Sequence, residues 1–166
     1  RMPRGSSQVR KRNIAKEHAV VSIEDLNYDE CVRLAYEQSK NDKHGVIVQD
    51  TAWKGYTDIP SWIMEGYGSL SLEADRQMLA DGCEYPTHVI IQAGVGSLAG
   101  SVVGYFANRF KGHEPIFCVV EAGAADCIYR SAMRKDGRTV AVKGKLDTIM
   151  AGLACGEPNT ISWDIL

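Results

Sequence analysis

A turn rich in small residues, between a predicted strand and a predicted helix, is the part of this sequence that most directly indicates chemistry. It lies in the run from Thr87 to Gly100, with Gly94 and Gly96 in the turn. Backbone N–H groups at such a turn and in the first helical turn lack intrahelical partners and favour an anion. Ser97 could cap the helix, which is expected to end near Lys111, or bind a phosphate oxygen. The same letters also suit an ordinary tight connection without a ligand.

Two common nucleotide-binding motifs fit this turn poorly. No Gly-Lys-Ser or Gly-Lys-Thr follows it, so the lysine that reaches the terminal phosphates in a P-loop is missing. The spacing Gly94-x-Gly96-x-x-x-Gly100 is one residue off the dinucleotide fingerprint, and the nearest candidate for a ribose contact is Glu121. A P-loop NTPase is therefore disfavoured, and a dinucleotide site stays open as the lesser alternative.

Carboxylates at the ends of apolar runs are the candidate acid–base groups. Asp50 follows the run 46–48, and three side chains beyond it could exclude water: Thr51, Trp53 and Tyr56. A carboxylate in such a place can act as a general base. The alternative is that Asp50 only caps a turn. Glu121, at the end of the run 116–121, is either a group that faces a ligand or a loop residue.

Short apolar runs alternate with helical patterns along the chain, which predicts an α/β fold with a mostly parallel sheet and helices on both faces. Strands are expected before Gly94 and at residues 19–23, 46–48, 116–120 and 139–142. Helices are expected from Ser6 or Ser7 to His18, Asn27 or Tyr28 to before Gly45, Pro60 to Asp81, Ser97 to Lys111, Ala124 to Met133 and Asp147 to Leu153. Ligands gather at the carboxyl ends of parallel strands, where both Asp50 and the Gly94 turn are expected.

Composition narrows the function classes. The 166 residues, 45% hydrophobic and 24% charged, fit one domain, and a change of composition at residues 41–45 indicates a boundary between two lobes. A formal net charge of −2 gives no uniform field that would attract nucleic acid or an anionic membrane. The five cysteines lack metal-ligand spacing, and no apolar stretch is long enough to span a membrane. We therefore expect a cytoplasmic protein without a metal site, a nucleic-acid partner or a membrane partner.

Four longer motifs resemble those of the diaminopropionate ammonia-lyases, a family of fold-type II pyridoxal phosphate enzymes. They are residues 49–67, beginning Gln-Asp-Thr-Ala-Trp, and residues 92–100, 125–131 and 148–158. Residues 2–6 and 27–30 are also similar to small-lobe segments of threonine-deaminase-like enzymes. The resemblance covers nearly the whole chain. It implies that residues 1–45 belong to the small lobe and residues 46–166 to the large cofactor-binding lobe.

The resemblance implies a site for pyridoxal 5'-phosphate. In that site the phosphate group would meet the backbone of Gly94, Val95, Gly96, Ser97 and Leu98. Val95 and Ser97 stand where broader relatives have glycine, so neither should need a positive φ. Asp50 would be the catalytic base or a contact of the substrate amine, and Glu121 would lie near the cofactor ring.

The implied activity is elimination of ammonia from 2,3-diaminopropionate, which yields pyruvate and ammonia, in a homodimer that acts on a small amino acid. A threonine or serine deaminase-like lyase is the nearest alternative. A non-catalytic domain that binds a phosphate-bearing small molecule or a protein partner is the alternative from another class. In family members, the lysine that bonds covalently to the cofactor lies upstream of the position that corresponds to Arg1. The group that faces the pyridine nitrogen lies downstream of the position that corresponds to Leu166. The chain is therefore expected to be a central fragment that is inactive alone.

Overall fold

The computed structural model describes residues 1–166, which form two compact units, Arg1–Val48 and Gln49–Leu166. The first unit contains α1 (Gln8–Lys16) and α2 (Tyr28–Lys40). Asn27 and Glu30 form a capping box at the start of α2, in which each side chain accepts from the other residue's backbone N–H. The run 19–23 contributes a single bridge, between Met2 and Ile23, and forms no strand.

The second unit is built around a strand–helix–strand unit. Its elements are α3 (Asp58–Ala80), β1 (His88–Gln92), α4 (Ser97–Arg109), β2 (Ile116–Val120), α5 (Cys127–Arg134), a 3-10 turn (Ala151–Leu153) and α6 (Thr160–Trp163). β1 and β2 pair in parallel, in a register that runs from His88 beside Ile116 to Gln92 beside Val120. The parallel pair linked by a helix confirms the predicted α/β class.

Three further predicted elements are wrong. Residues 46–48 and 139–142 form no strands, and of the predicted helix 147–153 only Ala151–Leu153 is helical, as a 3-10 turn. A strand needs a neighbouring backbone to pair with, and in the run 139–142 a backbone bond instead joins Val142 N–H to Gly156 O. At the start of the predicted helix, the Thr148 hydroxyl accepts from Met150 N–H and competes with helical bonding.

The core of the second unit forms where α4 covers one face of the sheet. Ala99, Val102 and Phe106 repeat at helical spacing along the buried stripe of α4, and Ile91 from β1 belongs to the same cluster. The opposite face of α4 is tied to α3 by Asp75, whose Oδ2 accepts from Arg109 Nε at 2.9 Å and from Tyr105 Oη at 3.1 Å. These contacts hold the C-terminal half of α4 against α3.

Candidate functional site

The turn between β1 and α4 presents a run of amides that donate to no acceptor in the protein. The amide of Ala93 before it and that of Gly100 after it both donate to backbone carbonyls, whereas those of residues 94–99 do not. Four residues within this run are buried: Val95, Gly96, Ser97 and Ala99. Because buried backbone donors are nearly always paired, this arrangement is suited to an anion at a helix N-terminus. We call residues 94–98 the anion turn.

Gly96 shapes the anion turn. Its φ is 101°, in the left-handed region, and it is the N-cap residue of α4. A Cβ at this position would lie 2.8 Å from Ser162 Oγ and 3.2 Å from Ile128 Cδ1. Glycine is therefore required both by the backbone conformation and by the neighbouring side chains. Neither Val95 nor Ser97 has a positive φ, as the family resemblance implies.

Asp50 lies next to the anion turn through its backbone. Its carbonyl oxygen accepts from Ser97 Oγ at 2.9 Å, and Ser97 is the first residue of α4. The Ser97 hydroxyl therefore does not cap the helix, which corrects one of the two roles predicted for it. We call residues 49–52 the Asp50 turn, because the side chain of Gln49 folds back to accept from the Asp50 amide at 2.6 Å.

The side chain of Asp50 is oriented by one phenol. Tyr67 Oη, on α3, donates to Asp50 Oδ2 at 3.0 Å. Burial of the phenol, with the charge of Asp50 and this hydrogen bond, raises the pKa of Tyr67 to about 12. Tyr67 thus stays protonated and donating at neutral pH, while Asp50 Oδ1 accepts no hydrogen bond from the protein. One carboxylate oxygen is fixed and the other can meet a ligand.

The raised pKa of Tyr67 should make the folded chain less stable as the pH becomes alkaline. The unfolded chain loses this phenolic proton near pH 10, and the folded chain keeps it until about pH 12. Between these two pH values the folded state holds a proton that the unfolded state has lost. The free energy of unfolding is therefore expected to decrease as the pH rises from about 10 to about 12, and to show no such decrease below that range. Urea unfolding at intervals across this range measures the slope.

The variant Tyr67→Phe should show a shallower decline. Part of the slope remains, because the pKa values of Tyr56 and Tyr105 are also raised by burial. Tyr85→Phe, which alters an exposed tyrosine, is the matched control and should keep the full slope. An identical decline in Tyr67→Phe and the control would contradict the bond between Tyr67 and Asp50.

Asn159 is the site residue that the sequence analysis missed. Its side chain is fully buried, and Nδ2 donates to the Asp50 carbonyl and to Ser97 Oγ, each at 2.7 Å. Its backbone N–H donates to the Val95 carbonyl of the anion turn at 2.7 Å. Its Oδ1 accepts from the first amides of α6, so the same side chain is also a helix cap. An asparagine after Pro158 signals a helix start, but nothing in the letters indicates the other contacts.

Glu121 is placed at the start of α5 rather than on an open surface. Its two carboxylate oxygens accept from the amides of Ile128 and Tyr129 at 2.8 and 2.7 Å. Burial raises the pKa of Glu121, and these two amides oppose that shift. A carboxylate at a helix N-terminus is favourable. Asp126, at the N-cap position of α5, makes no capping bond and pairs with Arg130 at 2.7 Å.

The surroundings of the anion turn contain thiols and no cluster of metal ligands. Cys127 Sγ lies 3.4 Å from the Gly94 carbonyl oxygen, and Cys155 Sγ would lie 3.4 Å from a Cβ at Gly94. No group of three or more histidine, cysteine or acidic side chains is arranged to hold a metal ion. The lysines of the second unit are all exposed: Lys54, Lys111, Lys135, Lys143 and Lys145.

None of the helices combines the length and the apolar character that a membrane crossing requires.

Comparison with known proteins assigns the chain to a family. All of residues 1–166 match the family described as pyridoxal-phosphate dependent enzyme. The chain is 52% identical over 165 residues to a diaminopropionate ammonia-lyase of Salmonella typhimurium, covering 99% of this chain and 41% of that protein. For the diaminopropionate ammonia-lyase of Escherichia coli K12 the identity is 49% over 166 residues, with coverages of 99% and 40%. The chain thus spans about 40% of the length of these curated relatives.

Solved structures share the fold. Holo diaminopropionate ammonia lyase from Escherichia coli superimposes with a TM-score of 0.89 at 47% identity, over 99% of this chain and 40% of that one. A processed threonine deaminase isoform 2 from Solanum lycopersicum gives 0.73 at 22% identity, over 98% and 42%, and so shares the fold alone.

The residues of the anion turn fit the phosphate of the cofactor that the family uses. Successive amides lack protein acceptors, and a Cβ at Gly96 would clash where the backbone bends to expose them. A dianionic phosphate supplies the acceptors that these donors need. The family match over the full length and this fit agree: the chain belongs to the fold-type II pyridoxal-phosphate dependent enzymes.

Proposed function

We propose that this chain is part of a diaminopropionate ammonia-lyase, which converts 2,3-diaminopropionate into pyruvate and ammonia. The observation that carries the proposal is the hydrogen bond between Ser97 Oγ and the Asp50 carbonyl, because it puts a carboxylate-bearing turn beside the anion turn. Relatives that are 49% and 52% identical bear the name of that enzyme, which supports the same substrate class.

The anion turn would bind the cofactor phosphate through the amides of Gly94, Val95, Gly96, Ser97 and Leu98. Pyridoxal phosphate, when bound, withdraws electrons from the α-carbon of the amino acid and so acidifies its α-proton. Residues 1–45 would belong to the small lobe and residues 46–166 to the large, cofactor-binding lobe. These two spans lie close to the compact units of the structure, Arg1–Val48 and Gln49–Leu166.

Asp50 would assist proton transfer. Its Oδ2 is held by Tyr67, so Oδ1 is the oxygen that could take the α-proton or bind the substrate ammonium. Glu121 would lie near the cofactor ring. It would hold the start of α5 in place there, because its oxygens accept from two amides of that helix. We further propose that the whole enzyme is a cytoplasmic homodimer with a small amino acid as its substrate and no nucleic-acid or membrane partner.

A chimaera tests the proposal. This chain would replace the matched 40% of the Escherichia coli relative, and the purified protein would be assayed for pyruvate and ammonia with 2,3-diaminopropionate, threonine and serine. We expect turnover of 2,3-diaminopropionate to exceed that of the other two. Turnover of threonine or serine alone would favour a deaminase-like lyase. A folded chimaera that binds pyridoxal phosphate but converts none of the three would favour a non-catalytic ligand-binding role.

A further inference from the structure

We propose that Asn159 is a positioning residue that couples the Asp50 turn to the anion turn, so that phosphate bound at one turn orders the other. The inference rests on the proposed function, because it assumes that the anion turn binds phosphate. Asn159 itself touches neither the free amides of the turn nor the Asp50 carboxylate; it acts through backbone carbonyls and the Ser97 hydroxyl.

The contacts of Asn159 form a closed set. Its Nδ2 spans the Asp50 carbonyl and Ser97 Oγ, and Ser97 Oγ donates to the same carbonyl at 2.9 Å. Its backbone N–H binds the carbonyl of Val95. The next residue, Thr160, donates its backbone N–H to the Ala52 carbonyl at 3.3 Å. The start of α6 is therefore attached to both turns by consecutive residues.

Because the hydrogen bonds of Asn159 and Ser97 are buried, the loss of one weakens the others. Asn159 and Ser97 are 0% and 1% exposed, so water cannot replace a lost partner without opening the structure. Movement of the anion turn displaces the Val95 carbonyl and Ser97, and Asn159 must then release the Asp50 carbonyl or move with them. A phosphate that restrains the anion turn should therefore also restrain residues 49–52, and the coupling is reciprocal.

Amide hydrogen exchange of the chain, residues 1–166, with and without saturating inorganic phosphate measures this coupling. The reporters are the amides of Thr51 and Thr160, whose acceptors are Gln49 Oε1 and the Ala52 carbonyl. We expect phosphate to slow both by about fivefold or more, the lower end of ordinary coupling between sites. The amides of the anion turn should slow as well, because phosphate binds them directly.

The variant Asn159→Asp isolates the coupling. Aspartate keeps the oxygen that caps α6 but lacks the Nδ2 donor, so the bonds to the Asp50 carbonyl and Ser97 Oγ are lost. Phosphate should then slow the Thr51 amide by less than about twofold while it still slows the anion turn. The Thr160 amide should keep part of its response, because the backbone bonds from Asn159 to Val95 and from Thr160 to Ala52 remain. Asn108→Asp makes the same chemical change on an exposed residue of α4 and should behave as the wild type. Ser97→Ala, which removes one bridging hydroxyl, should also weaken the effect and replaces Asn159→Asp if that variant does not fold.

Three results would overturn the inference. Slowing of the anion turn alone in the wild type would show that the turns are independent and would leave the proposed function standing. Undiminished slowing of Thr51 in Asn159→Asp, or in Ser97→Ala where that variant replaces it, would show that another path couples the two turns. No response of the anion turn at any phosphate concentration would remove the anion site itself, and the proposed function with it.

Discussion

Gly96→Ala is expected to abolish saturable binding of pyridoxal phosphate to this chain and to lower its free energy of unfolding by about 2 to 5 kcal/mol. A left-handed conformation costs a residue with a Cβ about 1 to 2 kcal/mol, and forcing a methyl group into a filled site costs about 1 to 3 kcal/mol. Both costs apply, since φ is 101° and the new Cβ would lie 2.8 Å from Ser162 Oγ. Urea unfolding and a titration followed by cofactor absorbance measure the two effects.

Substitutions at two other glycines separate the cost of the left-handed backbone from the cost of the steric clash. Gly82 has a φ of 81°, and a Cβ there would have no atom within 4 Å, so Gly82→Ala should show the backbone cost of about 1 to 2 kcal/mol and bind normally. Gly104 lies inside α4, where a Cβ would be 3.7 Å from Ile165 Cγ2. Gly104→Ala should raise the free energy of unfolding by about 0.5 to 1 kcal/mol. Normal cofactor affinity in Gly96→Ala would contradict the role given to the anion turn.

Asp50→Asn is expected to lower kcat of the chimaera by a factor of about 10² to 10⁴, the usual contribution of a positioned general base. The amide has the shape of the carboxylate and can still accept from Tyr67, and the backbone carbonyl keeps its bonds to Ser97 and Asn159. The variant therefore removes the charge and the proton-accepting oxygen while it preserves the turn. Steady-state rates of pyruvate release measure the effect.

A control keeps this result specific. Asp81→Asn alters an exposed aspartate at the end of α3 and should leave kcat within about twofold, as surface substitutions usually do. The cofactor affinity of Asp50→Asn should match the wild type, because the anion turn is unaltered. A kcat close to that of the wild type would show that Asp50 only shapes its turn.

The unpaired amides of residues 94–98 could be predicted from the sequence because their determinants are local. Gly94, Gly96 and the helix that begins at Ser97 lie within a few residues of one another, and helix geometry alone leaves their amides without partners. The same holds for the position of Gly82 after α3, where the left-handed residue follows the last helical turn. Short-range rules were sufficient at both places.

The connections within the site could not be predicted in this way. Asn159 is 109 positions from Asp50 in the sequence, and no periodic pattern links the two. The apolar runs 46–48 and 139–142 look like buried strands, but a strand also requires a partner at the correct distance, which a single run does not reveal. For Ser97 the sequence allows a helix cap or a ligand contact, and the bond that the structure shows, from its hydroxyl to the Asp50 carbonyl, joins residues 47 positions apart that no local rule connects.

Amide chemical shifts of this chain during titration with pyridoxal phosphate test most directly whether the anion turn binds the cofactor phosphate. We expect the largest saturable changes on the backbone amides of the anion turn, residues 94–98, and we expect inorganic phosphate to move the same signals in the same direction. Saturable binding that leaves those amides unchanged, or no binding by the folded chain, would contradict a phosphate site at the anion turn.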